Sequence, residues 1–337
     1  MRRAAFAGLA AALLPSWAAY AGATCDRVCL KDTLDRYVDA VIAHDPSQLS
    51  VTRDIKFTEN LVPLKFGHEG LWATANGRRD FNIYAVDPTR GDAAWIGILK
   101  ENDKPVMTAI RLKVIDRRIA EAETLVGRVG LGAADTVAGP RPDFSEPLQP
   151  AEQSSREALI AIANSNWDAM ERGEGDLAPY AQDCERYDNG RKTTNGPSPG
   201  RAANAAPALN AAPATGEPAT TANAEIGNLG CHGQMNSGRF KNGNHVYPRR
   251  IWAVDREYGL VVGLFTPNVP GTARTLHLRN GQTLTVGPDE LIPFTIEQVE
   301  MFRIVHGQIS RVEVVLGPRV PYGTRSPFDM KSLWEPR

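Results

Sequence analysis

Two short stretches decide the fold of this chain: Tyr84-Ala85-Val86-Asp87 followed by Gly91, and Trp252-Ala253-Val254-Asp255 followed by Gly259. An arginine pair precedes each, Arg78-Arg79 and Arg249-Arg250. Further on, Ile119 leads through Glu123 to Leu125-Val126-Gly127, and Ile309 leads through Glu313 to Val315-Leu316-Gly317. Matches that keep their order across two halves mark an internal duplication, so each half is one folding unit. Asp87 and Asp255 each stand four residues before a glycine between apolar runs, which reads as a hairpin turn.

Outward from these stretches, the periodicity supplies the remaining elements. Leu30–His44 carries Leu34, Tyr37, Val38, Val41 and Ile42 on one helical stripe, and Ala158–Met170 repeats that pattern. The first helix is followed by extended runs at 55–59, 81–86, 94–100, 105–116 and 119–126, and the second by runs at 184–188, 249–254, 260–265, 298–305 and 309–316. An extra hairpin is expected over Leu276–Glu290, turned at Asn280-Gly281. Residues 195–225, dominated by Ala, Pro, Asn and Thr, read as a disordered insertion. The expected organisation is a leader over 1–23, a first domain over 24–131, a linker over 132–154, a second domain over 155–320 and a tail over 321–337.

The chain has 337 residues, 42% apolar and 23% charged, with a formal net charge of −1. That suits a soluble globular protein of two units, without the basic footprint of a nucleic-acid binder. Arg2-Arg3 before the apolar run Ala4–Ala19, with small residues at Ala21-Gly22-Ala23, reads as a Sec signal peptide cleaved near Ala23. The expected location is periplasmic or secreted, with no membrane span in the mature chain. Four cysteines fit an oxidising compartment: Cys25 can bridge Cys29, and Cys184 can bridge Cys231 across the insertion. A four-thiolate metal site is the competing reading, and it lacks two close Cys-x-x-Cys pairs.

The order of elements, helix first and the last strands joined by tight turns at Arg117-Arg118 and His306-Gly307-Gln308, resembles the nuclear-transport-factor-2-like cone, also called the SnoaL or ketosteroid-isomerase-like fold. A closer resemblance, over roughly residues 25–320, is to a family of secreted two-part proteins from bacteria and fungi. Glu59-Asn60-Leu61-Val62-Pro63-Leu64, Gly67-His68-Glu69-Gly70-Leu71-Trp72, Ser237-Gly238-Arg239-Phe240 and Asp255 through Val261 carry it, with one residue more than the family pattern between Gly67 and Gly70. The resemblance implies an α+β chain of two cones, each with helices on a strongly curved antiparallel sheet, packed as an intramolecular pseudo-dimer. It also implies a conical cavity in each half for a small apolar or aromatic ligand, and either a monomeric pseudo-dimer or a homodimer.

Glu59-Asn60 and Asp188-Asn189 repeat an acidic–Asn pair. Glu59 and Asp188 are therefore candidate general acids or bases, with a strand-end turn as the competing reading. His68 and His232, each among glycines, are candidates for proton transfer or for loop capping. Tyr187 is a candidate oxyanion donor. Tyr37, Trp72, Trp167, Trp252 and Phe302 are candidates for lining the cavity, or core residues. Arg249, like Arg250, Arg78 and Arg79, is a candidate for holding a carboxylate or phenolate, with a solvated strand edge as the competing reading. Glu123 and Glu313, on the final strands, read either as pocket acids or as partners of the strand arginines across the sheet. No P-loop or dinucleotide fingerprint is present, and Gly196-Pro197-Ser198-Pro199-Gly200 lies inside the insertion. The expectation is acid–base chemistry without a cofactor or metal, by a lyase, dehydratase or isomerase, with the second half favoured for ligand binding. The alternative is a secreted binding module for a hydrophobic small molecule.

Overall fold

Two helices of 17 residues open the two halves, α1 at Arg27–Ala43 and α3 at Arg156–Arg172, with a short α2 at Leu71–Thr74 between them. The Asp26 carboxylate caps α1 by accepting the Cys29 N–H, and the Ser155 hydroxyl caps α3 by accepting that of Ala158. Each ends in a left-handed residue, His44 and Gly173. Their apolar stripes, Leu30, Leu34, Tyr37, Val38 and Val41 in one and Leu159, Ala163, Trp167 and Met170 in the other, are buried. The computed structural model describes residues 25–128, 134, 137, 139, 141–196, 226–241 and 245–330. The expected leader and residues 197–225 of the expected insertion lie outside them.

Each helix packs on a six-stranded mixed sheet, so the chain is α+β. The first sheet has the order β2-β1-β6-β5-β4-β3, from Val51–Glu59 (β1), Val62–Pro63 (β2), Ala75–Asp87 (β3), Asp92–Glu101 (β4), Lys104–Ile115 (β5) and Arg118–Gly127 (β6). The second has the order β8-β7-β14-β13-β10-β9, from Tyr180–Asp188 (β7), Arg191–Lys192 (β8), His245–Asp255 (β9), Leu260–Val269 (β10), Phe294–Val305 (β13) and Gln308–Pro321 (β14). The expected hairpin is present as Thr275–His277 (β11) and Thr283–Thr285 (β12), with Gly281 at a positive φ.

The duplication holds residue by residue. The one parallel pairing in each sheet runs Val51↔Ile119 then Lys56↔Glu121 in the first half, and Tyr180↔Ile309 then Glu185↔Arg311 in the second, with the same register shift. The last hairpins shift at Lys113/Val114 and at Arg303/Ile304, again at equivalent positions. Asn60 and Asn189, both left-handed, explain why asparagine recurs there. Their side-chain oxygens accept the N–H of Val126 and of Leu316, each at 2.8 Å, tying the end of the parallel pair.

Apolar residues of both sheets, among them Ile83, Ile96, Met107 and Leu125 with Trp252, Leu264, Met301 and Val315, form one buried cluster. Arg27 on α1 forms a two-pronged ion pair with Asp255, and Arg156 at the same place on α3 meets Asp87 at 2.5 Å. The two turn aspartates thus each also pair with an arginine on the opening helix of the other half. Gly127 and Gly317 recur because the halves approach there: a side chain at Gly127 would strike Asn189 and the Leu316 carbonyl, and one at Gly317 would strike Leu125. The described part of the expected linker is packed rather than loose. Phe144 is buried, and the Arg141 Nε donates to the Glu313 carboxylate at 2.6 Å.

Candidate functional site

Three residues that the sequence singles out come together inside the first half. α1 presents Tyr37, α2 presents Trp72 and the end of β1 presents Glu59. The Tyr37 and Trp72 rings meet edge to face at 5.5 Å, and both are at most 2% exposed. Among the described residues, neither the Tyr37 hydroxyl nor the Trp72 indole N–H makes a hydrogen bond of full geometry; the hydroxyl has only looser contacts, with Trp72 itself and with Thr124. The hydroxyl lies close enough to Trp72 and Thr124 for both to favour its ionised form, while the Glu59 charge opposes it. Burial outweighs these effects and raises its pKa above the ordinary tyrosine value, so it stays protonated at neutral pH.

Glu59 is anchored at both oxygens. Oε2 accepts the Leu71 N–H at 2.7 Å and Oε1 accepts from Arg128 Nη2 at 2.8 Å. Arg128 also binds Glu101 through two donors at 2.7 Å, and the Thr74 hydroxyl donates to the same carboxylate at 3.0 Å. Gly70 is required here, because it has a positive φ and a side chain on it would collide with the Glu59 carboxylate.

The interior of the second half is built differently. The Glu300 carboxylate on β13 accepts from Arg186 Nη1 at 2.5 Å, Trp167 Nε1 at 2.6 Å and Asn166 Nδ2 at 3.2 Å. The Tyr180 hydroxyl donates to Asn166 Oδ1 at 2.8 Å. Burial outweighs Arg186 and raises the Glu300 pKa. The equivalent first-half positions, read from helix start and strand register, are Phe57 for Arg186, Ile110 for Glu300, Tyr37 for Asn166 and Val38 for Trp167. The fold itself therefore does not require the network. Sequence reasoning missed Glu300, Arg186 and Asn166; aligning the halves in register carries the signal, as polar residues opposite apolar ones.

The other candidates are dispersed. Asp188 is ion-paired to Arg186 at 2.9 Å. The Tyr187 hydroxyl donates to Glu185 at 2.5 Å and its ring lies under Arg141 at 3.4 Å. Burial and then the Glu185 bond push its pKa up to about 12. His68 is exposed on the loop before α2. His232 is exposed on the short helix Cys231–Asn236 (α4), pairs with Asp176 at 2.7 Å and lines an open depression of about 560 Å³ with Tyr180. Arg249 reaches Asp168 at 2.7 Å and Glu171 at 3.1 Å on α3, the counterpart of Arg78 with Asp39 at 3.3 Å in the first half. Trp252 faces the opposite half in the inter-sheet cluster. Phe302 packs on Trp167 at 5.8 Å in the second core. Both disulfides form, Cys25–Cys29 and Cys184–Cys231.

The strand glutamates do find arginines, though not as sequence order suggests. Glu123 pairs with Arg250 of the other half and with Arg111 at 2.8 Å. Asp329, beyond β14, meets Arg250 at 3.1 Å, so part of the expected tail is packed. Glu297 lies buried nearby, and its pKa is raised well above the ordinary value by burial and then by Glu123.

Among the described residues, no three His, Cys, Asp or Glu side chains are grouped to hold a metal ion, and no helix is long and apolar enough to cross a membrane. Residues 152–316, from just before α3 into β14, match a family described as a domain of unknown function (DUF8021). No curated protein matches the chain.

Proposed function

We propose that this is an exported protein of two nuclear-transport-factor-2-like cones packed as an intramolecular pseudo-dimer, and that its first half carries acid–base chemistry on a small aromatic compound. The observation that carries the reading is the pair of buried donors without a well-formed hydrogen bond, Tyr37 Oη and Trp72 Nε1, beside the Glu59 carboxylate. Burying a polar group without a partner costs about 1–3 kcal/mol. Two such groups in one place are the kind of local cost that functional sites carry. Indole N–H is a donor only, and a tyrosine held protonated donates as well. Together they suit an oxygen on which negative charge develops, and Glu59 suits the proton transfer that generates it. The reaction class is proton abstraction or elimination beside a carbonyl or phenolic oxygen: an isomerase, dehydratase or lyase. Placing the site in the first half departs from the sequence expectation, because at the equivalent place in the second half Glu300, Arg186, Trp167 and Asn166 already satisfy one another. Two disulfides support an oxidising, extracytoplasmic location.

The test is a cofactor-free incubation of the oxidised protein with oxygenated aromatic compounds, read by liquid chromatography and mass spectrometry. Turnover by the natural chain that falls about 100-fold or more in Glu59→Gln supports the reading. Turnover unchanged in both Glu59→Gln and Tyr37→Phe overturns it. A second reading, binding without catalysis, is favoured by the predominantly aliphatic and aromatic make-up of both interiors. A retained but unaltered compound would select it.

A further inference from the structure

Resting on that reading, the aromatic packing around Phe66 in the first half goes one step further. Four rings cluster there: Phe57 from β1, Tyr37, Trp72, and Phe66 from the loop between β2 and α2. The first three are at most 3% exposed, whereas Phe66 is only partly buried, so it is the outermost ring. It contacts all the others, at 5.0 Å from Trp72, 5.9 Å from Phe57 and 6.3 Å from Tyr37.

The loop carrying Phe66 is tied down lightly. Its bonds are mostly local: His68 and Glu69 donate to the Lys65 carbonyl, and the Lys65 N–H donates to the Glu69 carboxylate. Among the described residues, its backbone link to the sheet beyond the β1–β2 pairing is Leu64 N–H to the Phe57 carbonyl at 3.2 Å. Glycines of positive φ, Gly67 and Gly70, bound its second half. Such a segment opens at low cost compared with a core strand.

We propose that Phe66 is an intramolecular stand-in for the ligand: it occupies a ring-sized slot lined by Tyr37, Phe57 and Trp72, and the ligand is a single aromatic ring bearing an acceptor oxygen that enters by displacing it. The slot accepts edge-to-face ring contacts, the arrangement aromatic pairs favour. The Tyr37 hydroxyl and Trp72 N–H, which lack a well-formed hydrogen bond, supply a polar end that Phe66, a pure hydrocarbon, cannot engage. A ligand with an oxygen next to its ring completes both, and one without it repeats what Phe66 already does. Phe66 is thus a gate and a specificity element, not a catalytic residue.

The experiment removes the plug from the full oxidised chain and supplies a ring in solution. Acetophenone and ethylbenzene are titrated against the natural protein and Phe66→Ala, with binding read by calorimetry or ligand-observed NMR. Acetophenone is expected to bind Phe66→Ala at least about tenfold more tightly than the natural protein, and ethylbenzene to gain less. Adding Tyr37→Phe is expected to cancel the preference for the oxygen. Equal gains for both compounds, unaffected by Tyr37→Phe, would overturn the oxygen-bearing ligand. No gain in Phe66→Ala, or in Phe66→Leu should the alanine variant fail to fold, would overturn the plug. Binding is measured without turnover, so loss of the catalytic reading through Glu59→Gln leaves this result intact, and the reverse also holds.

Discussion

Replacing Glu313 with Gln is expected to remove a specific part of the dependence of stability on pH. Glu313 sits on β14 with no exposure, and Oε2 is held by Arg141 while Oε1 has no partner among the described residues. Burial outweighs Arg141 and pushes its pKa from the ordinary 4.5 up to about 7. Between those values the native state keeps a proton that the unfolded chain has released. The stabilisation is therefore fully present below about pH 4.5 and is lost as pH rises through about 7. At 1.36 kcal/mol for each tenfold change in proton affinity, the loss is roughly 3 kcal/mol. Glu297 and Glu300 are shifted in the same direction, so the natural chain carries a steeper total slope, and only the difference between the two proteins isolates Glu313. Guanidinium unfolding followed by tryptophan fluorescence, from about pH 4 to about pH 8, reads it. Glu313→Gln should lose about 3 kcal/mol less than the natural chain across that range. Parallel stability curves, or a natural chain that becomes more stable with rising pH relative to the variant, would refute the argument.

Other outcomes follow from the reciprocal contacts and the asymmetric cores. Arg156→Ala strands the Asp87 carboxylate, which is 1% exposed, and should cost roughly 3 kcal/mol in urea unfolding. Arg27→Ala should cost less, because Asp255 keeps the Val86 and Tyr258 N–H groups. Arg186→Phe alone should destabilise by roughly 3–5 kcal/mol, by leaving Glu300 buried without its cation. Arg186→Phe combined with Glu300→Ile, which copies the first half, should recover most of that, and denaturant midpoints decide it. Asn60→Ala and Asn189→Ala should each cost about 2 kcal/mol and speed amide exchange at Val126 and Leu316 respectively.

The elements were legible wherever one face is buried along a continuous run. The stripe through Tyr37 and Val41, the run into Glu59 and the Asn280-Gly281 turn all lie where periodicity and turn chemistry place them. Within the candidate site, Glu59, Tyr37 and Trp72 were each visible as residues of suitable chemistry. Their convergence was not, because α1, β1 and α2 meet only through folding. Arg249 and Arg78 recur because each ties a strand to the same aspartate of its helix, a contact that spacing alone does not reveal. Glu300 and Arg186 were hidden for a different reason. Each looks like a surface charge on an alternating strand until the fold buries both on the same face.

By itself the sequence determined that the chain is a duplication, that each copy is a helix followed by strands, and which residue types were available for chemistry. Local periodicity, turns and internal matches encode these properties, and they need only short stretches of chain. Tertiary structure alone decided that Asp87 and Asp255 clasp opposite halves, that Trp252 lies between the sheets, and that Tyr37 and Trp72 are buried without a well-formed hydrogen bond. Those outcomes depend on which groups lose water together. Desolvation is set by neighbours far apart in the chain, so no local pattern records it.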